Sequence, residues 1–179
     1  MELTLKLNAR LQPKNRFELE DALHEMLERE HMGEVTGGGT AQKSNGEIAY
    51  CDIEIHLIRD ELGRVKWLAD ILNRIGIPKG SILQGLEQEI EVGTLEGLAY
   101  YSNGVDLPDE VYKTCDINYV IEQMEQAMEG IGRMYSYWEG DTYTGLYFYG
   151  SSFSKMKQKI EPFISTYPLC QKSRIEQIA

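Results

Sequence analysis

The chain has 179 residues, 42% hydrophobic and 26% charged, with three cysteines and a formal net charge of −11. These proportions fit a soluble globular protein with no apolar run long enough for a membrane span. The odd number of scattered cysteines favours reduced thiols in a cytoplasm over a disulfide framework. No basic cluster exceeds "KMKQK" at 155–159. The acidic balance therefore argues against a nucleic-acid partner and suits solubility or electrostatic capture of a basic protein.

The N-terminal "ELTLKLNA" alternates like a strand, with Leu3, Leu5 and Leu7 on one face, and lacks the apolar core of a signal peptide. "PKNRFELEDALHEMLEREH" switches to a helical period, with Leu19, Ala22, Leu23, Met26 and Leu27 on one stripe and Asn15 with Glu18 as a capping box. "GEVTGGGTAQK" and "GEIAYCDIEIHLI" form a hairpin across Asn45-Gly46, where both positions tolerate positive φ. "LGRVKWLADILNRIG" is a second helix, with Leu62, Val65, Leu68, Ile71, Leu72 and Ile75 facing inward and Gly76 at its stop. "KGSILQGL" supplies a fourth strand.

The second half repeats that order. "GTLEGLAYYS" is a strand, and "DINYVIEQMEQAMEGI" is a helix with Asp116 as N-cap. "GRMYSYWEG" and "TYTGLYFYG" form a hairpin across Gly140-Asp141. "SSFSKMKQKIEPFISTYP" is a helix containing Pro162, and "KSRIEQI" is the closing strand. The stretch 102–115 is the longest irregular segment. The expected fold class is α+β: two tandem ferredoxin-like β-α-β-β-α-β units, 1–89 and 90–179, with antiparallel sheets and helices on one face of each.

Each sheet then has one face free of helices. In "YCDIEIHL", Cys51, Ile53, Ile55 and Leu57 turn to the core, and Tyr50, Asp52, Glu54 and His56 turn away from it beside Lys6 and Asn8. Asp52, Glu54 and His56 have the chemistry of metal ligands. Alternate residues on a strand lie roughly 7 Å apart, however, so a wet or cross-strand-paired face is the expectation, with no metal and no cofactor. "TGGGT" precedes no helix, so Gly37, Gly38 and Gly39 read as a bulge or a close approach of another backbone, with a ligand contact left open. In the second half, Tyr135 with Tyr137 and Tyr147 with Tyr149 are expected to line the second helix-free face, joined by Arg133. "TGLYFYG" resembles the aromatic strand of RNA-recognition domains but lacks its leading basic residue. No nucleophile–base signature assembles, so no catalytic residue is assigned and the chain reads as a non-enzyme.

With "GEVTGGGT", "CDIEIHL" and "YPLCQKSRIEQIA" in view, the chain resembles the small duplicated ferredoxin-like proteins of bacteria. In build it is similar to toxin-immunity proteins, which are small, acidic and cytoplasmic. The resemblance implies a non-enzymatic binding protein of the immunity type, an inhibitor that masks a basic toxin. The alternative is a small-molecule or metal-dependent site in a groove between the two sheets, built from Asp52, Glu54, His56 and the tyrosines. The candidate binding residues are Asp52, Glu54, His56, Arg133, Tyr135, Tyr137, Tyr147 and Tyr149.

Overall fold

The structure, a computed structural model, describes residues 1–58 and 62–179. Period-two alternation builds the first sheet. Strand β1 (Glu2–Leu7) buries Leu3, Leu5 and Leu7, and β3 (Ile48–Leu57) buries Cys51, Ile53, Ile55 and Leu57. The two strands pair antiparallel, with Leu5 opposite Ile53. Between them come α1 (Pro13–Arg29) and β2 (Gly33–Gln42). Helix α2 (Leu62–Ile75), β4 (Ser81–Gln84) and β5 (Ile90–Val92) follow. The antiparallel order is β2-β3-β1-β4-β5.

Leu23 and Leu27 of α1, with Val65, Leu68 and Leu72 of α2, complete this aliphatic core. Full burial of each such side chain stabilises by about 1.5–3 kcal/mol. Two expectations for these stripes are corrected. Ala22 is exposed, because the buried line of α1 runs through Arg16, Leu23 and Leu27, and position 22 is a third of a turn off it. Ile75 is 51% exposed; it is the last residue of α2, ahead of Gly76 at φ +80. The inward reading of Leu62 lies outside the described side chains. The capping box at Asn15 does not form: α1 starts two residues earlier, with Pro13 at its first position, where a missing N–H costs nothing.

The second unit contains β6 (Glu96–Asn103), α3 (Asp109–Thr114), α4 (Ile117–Ala127) and β7 (Gly132–Glu139). These are followed by β8 (Tyr143–Gly150), α5 (Phe153–Ile164), a 3-10 turn (Pro168–Cys170) and β9 (Arg174–Gln177). The order β7-β8-β6-β9 is antiparallel throughout. Leu98, Tyr100, Leu146 and Phe148 from the sheet meet Val120, Met124, Met128, Met156 and Ile160 from the helices. Asp116 caps α4 as expected, its side chain accepting from the Asn118 N–H.

Each unit thus places its second strand at an edge, beside the third, then the first, then the fourth. That is the ferredoxin-like topology, present twice. The compact units run Met1–Leu95 and Glu96–Ile178. Strand β5 pairs with β4, which brings residues 90–92 into the first sheet. Among the described residues, no helix is long and apolar enough to cross a membrane.

Candidate functional site

On the helix-free face of the first sheet the register sets out rows of side chains. One row runs Glu34, His56, Glu2; the next Gly37, Glu54, Thr4, Gln84; the third Gly39, Asp52, Lys6. Glu34 and Glu54 are exposed and Asp52 is half-buried. His56 pairs with Glu2 through its Nδ1. The Lys6 ammonium sits 4.4 Å over the Tyr50 ring. Among the described residues, no three His, Cys, Asp or Glu side chains gather as a metal group. The extended backbone holds Asp52, Glu54 and His56 apart along β3, and the face stays a polar array.

The triple glycine has three separate roles. The ladder slips between Val35 and Gly37, which is the bulge expected there. A Cβ on Gly37 would lie 3.0 Å from Glu54 Oε2, whereas one on Gly39 would meet nothing within 4 Å. At Gly38 a Cβ would come 2.1 Å from Glu20 Oε1 and 2.7 Å from the Asp52 carbonyl oxygen. The bare edge strand therefore leaves the β3 carboxylates uncovered on one side. On the other side it admits a buried ion pair, Arg16 Nε to Glu20 Oε1 at 2.7 Å. Arg16 also donates through Nη1 to Thr40 Oγ1 at 3.1 Å. Sequence reasoning missed this pair; Gly38 was the signal for it, because glycine in a strand marks a close approach.

None of the buried thiols is set up as a nucleophile. Cys51 donates to the Ala9 and Leu11 carbonyls, and burial pushes its pKa above the ordinary value. Burial does the same to Cys170. Neutral thiols in apolar surroundings are unreactive.

The second sheet differs. Tyr147 and Tyr149 pair with Ala99 and Gly97, on the side away from the helix-packed Leu146 and Phe148. This face is not an open wall of phenols: Tyr101, Tyr147 and Tyr149 are at most 2% exposed. Tyr101 and Tyr147 meet edge to face at 6.4 Å, as do Tyr135 and Tyr149 at 5.5 Å. Gly145 makes room, since a Cβ there would lie 2.9 Å from the Tyr147 hydroxyl. Tyr135 and Tyr137 do not share that face. The register slips between Met134 and Ser136, so Tyr137 stands opposite Leu146 and is 48% exposed. Two arginines border the tyrosines. Arg133 lies 4.6 Å over Tyr135, and Arg174 lies 3.7 Å over Tyr101 and 5.2 Å from Tyr143.

No protein-family model matches the sequence, and no curated protein does. Among solved structures, the chain is similar to the "Crystal Structure of the First Two RRM Domains of Yeast Poly(U) Binding Protein (Pub1)". That match has 11% identity and a TM-score of 0.27, and covers 100% of this chain and 99% of the other. One expectation is corrected: net charge alone does not exclude a nucleic-acid partner. The physical reason is that net charge sums the whole chain, while binding depends on local groups. Here Arg133 and Arg174 stand over tyrosine rings within an acidic protein.

Proposed function

We propose that this chain is a non-catalytic binding protein whose first sheet docks a basic protein surface, in the manner of an immunity-type inhibitor. One observation carries the reading. Glu34, Asp52 and Glu54 stand on adjacent strands of one helix-free face, and their neighbours Gly37 and Gly39 carry no side chains that would cover them. An acidic face on a protein of net charge −11 attracts cationic partners and speeds their encounter. The buried, neutral state of Cys51 and Cys170 supports binding over thiol chemistry.

The test compares the full chain with the triple variant Glu34→Gln, Asp52→Asn, Glu54→Gln. Basic proteins captured from the native host by the wild type are then titrated against both. Rim charges contribute about 0.2–1 kcal/mol each, so the triple variant should bind about tenfold more weakly, and added salt should reproduce the loss. Equal affinity for the triple variant would overturn the reading.

A second reading rests on a different observation. The pairs Arg133–Tyr135 and Arg174–Tyr143 have the chemistry that stacks single-stranded bases. Titration with poly(U) tests it. Saturable binding that is weakened by Arg133→Ala and Arg174→Ala, and left alone by the triple acidic variant, replaces the first reading.

A further inference from the structure

The two long helices of the second unit sort their exposed charges by sign. On α4 the buried line runs through Val120 and Met124, and Glu122 and Glu125 are exposed on the side turned away from it. On α5 the buried line runs through Met156 and Ile160, and Lys155 and Lys159, one turn apart, are exposed. Among the described residues, none of these four side chains has an ion-pair partner. Lys157, by contrast, pairs with Glu161 on its own helix at 3.8 Å.

An aromatic cluster joins the same two helices at one end. Tyr119, in the first turn of α4, meets Phe163, in the last turn of α5, at 6.0 Å, and meets Tyr167 at 5.3 Å. Phe163 and Tyr167 stack at 5.2 Å. Tyr119 is nonetheless 44% exposed. The contact fixes the register of the antiparallel helices. At a rise of 1.5 Å per residue, Glu122 and Glu125 lie about 4.5 and 9 Å along the axis from Tyr119, and Lys159 and Lys155 lie about 6 and 12 Å along it from Phe163. Acid and base therefore stand at matching levels on neighbouring helices without reaching one another.

We propose that this face is the interface of a homodimer, its occupant being the same face of a second copy. A two-fold axis running parallel to the helices, between the copies, sets α4 of each over α5 of the other. Because the levels match, Glu122 and Glu125 of each copy then meet Lys159 and Lys155 of the other, and the two aromatic clusters meet at one end. A patch of one sign would repel its own copy; a patch sorted into two stripes is complementary to itself. The face is about 18 Å long and about 20 Å wide, less than the roughly 800 Å² per partner of a standard interface, so the dimer is reversible.

The test is sedimentation velocity on the full chain. The wild type should pass from monomer toward dimer as its concentration rises through about 0.1 mM. Glu122→Lys with Glu125→Lys, and separately Lys155→Glu with Lys159→Glu, set like charges across both contacts and should each weaken association by more than about tenfold. All four positions are exposed, and a negative charge at 155 suits the first turn of α5, so both variants keep the fold. An equimolar mixture of the two restores both contacts with the signs exchanged and should recover the dimer. Glu18→Lys with Glu25→Lys, exposed on α1, changes net charge equally on the wrong surface and should form no dimer with the Lys155→Glu, Lys159→Glu variant. The proposal is overturned by a wild type that stays monomeric at about 1 mM, by either charge variant associating as the wild type does, by a mixture that stays monomeric, or by equal pairing with the α1 variant.

Discussion

The two units share one topology and fill it with different chemistry. The first packs leucine and isoleucine between sheet and helices and leaves its other face polar, with Glu34, Asp52, Glu54 and His56 in wet or half-wet positions. The second packs methionine and aromatic rings on the helix side, and on its other face it buries Tyr101, Tyr147 and Tyr149 to the same degree. Topology is therefore set by strand and helix periods. What a sheet face can do is set by the residues that the alternation leaves over. Duplication preserved the first and freed the second to diverge.

The sharpest way to break this comparison is to empty each core in turn. Phe148→Ala should cost about 3–5 kcal/mol, with amide protection lost first within residues 96–178; Ile53→Ala should cost about 2–5 kcal/mol, with the loss first within residues 1–95. Equal loss of protection in both stretches from either substitution would contradict two separate cores. Next in size is the glycine strand that has no counterpart in the second unit. Gly38→Ala should destabilise by about 1–3 kcal/mol, since its Cβ meets the Glu20 carboxylate and the Asp52 carbonyl, and Glu20→Ala in the same chain should recover part of that. Gly39→Ala, into open space, should stay within about 0.5 kcal/mol by chemical denaturation. The helix starts differ as well. Asp116→Ala should cost about 1 kcal/mol, because it removes the side-chain cap of α4, whereas the start of α1 at Gln12 has no side-chain cap bond to lose.

The smallest effect is read from the thiols. Aryl disulfide reagent at neutral pH should modify Cys115 quickly and Cys51 and Cys170 slowly, as only Cys115 is partly exposed. The same burial sets an alkaline limit on stability. The pKa values of Cys51, Cys170 and the Tyr100 phenol are raised in the folded chain, so above the unfolded thiol value of 9.0 the unfolded state binds fewer protons. Stability should then fall as pH rises past that point and be unaffected by these groups below it. A melting temperature that holds level into strong alkali would show that these groups ionise alike in both states.

Much of the fold was legible because its signals are periodic. Leu3, Leu5 and Leu7, or Ile53, Ile55 and Leu57, announce a half-buried strand in any context, and Asn45-Gly46 announces the turn, where Gly46 does take φ 79. Helix α3 was hidden in 102–115 because six residues make fewer than two turns and cannot repeat a period, and β5 was hidden because three residues are too few to establish alternation. The candidate residues were legible as chemistry and not as placement. A one-residue slip beside Tyr135 turned Tyr137 away from Tyr147 and Tyr149, and a ladder irregularity of that kind leaves no trace in spacing. Burial of the tyrosines was equally illegible, since alternation assigns a side of the sheet and says nothing about what lies over it.

The slip between Val35 and Gly37 reaches beyond the site. Strand β2 is the margin of the first sheet, so one flank of its backbone offers donors and acceptors to any extended chain that drifts by. Three consecutive glycines make that flank flat and poorly registered, the kind of surface on which strands of separate molecules stack into fibrils. The extra residue, Thr36, kinks the flank within its first half, and a second irregularity at Ala41/Gln42 interrupts it again near the hairpin. The uninterrupted stretches left, 33–35 and 37–41, are short. The bulge thus acts as a guard on colloidal behaviour: a chain shortened by Thr36 would present a straighter margin and would precipitate at concentrations where the intact protein stays dissolved.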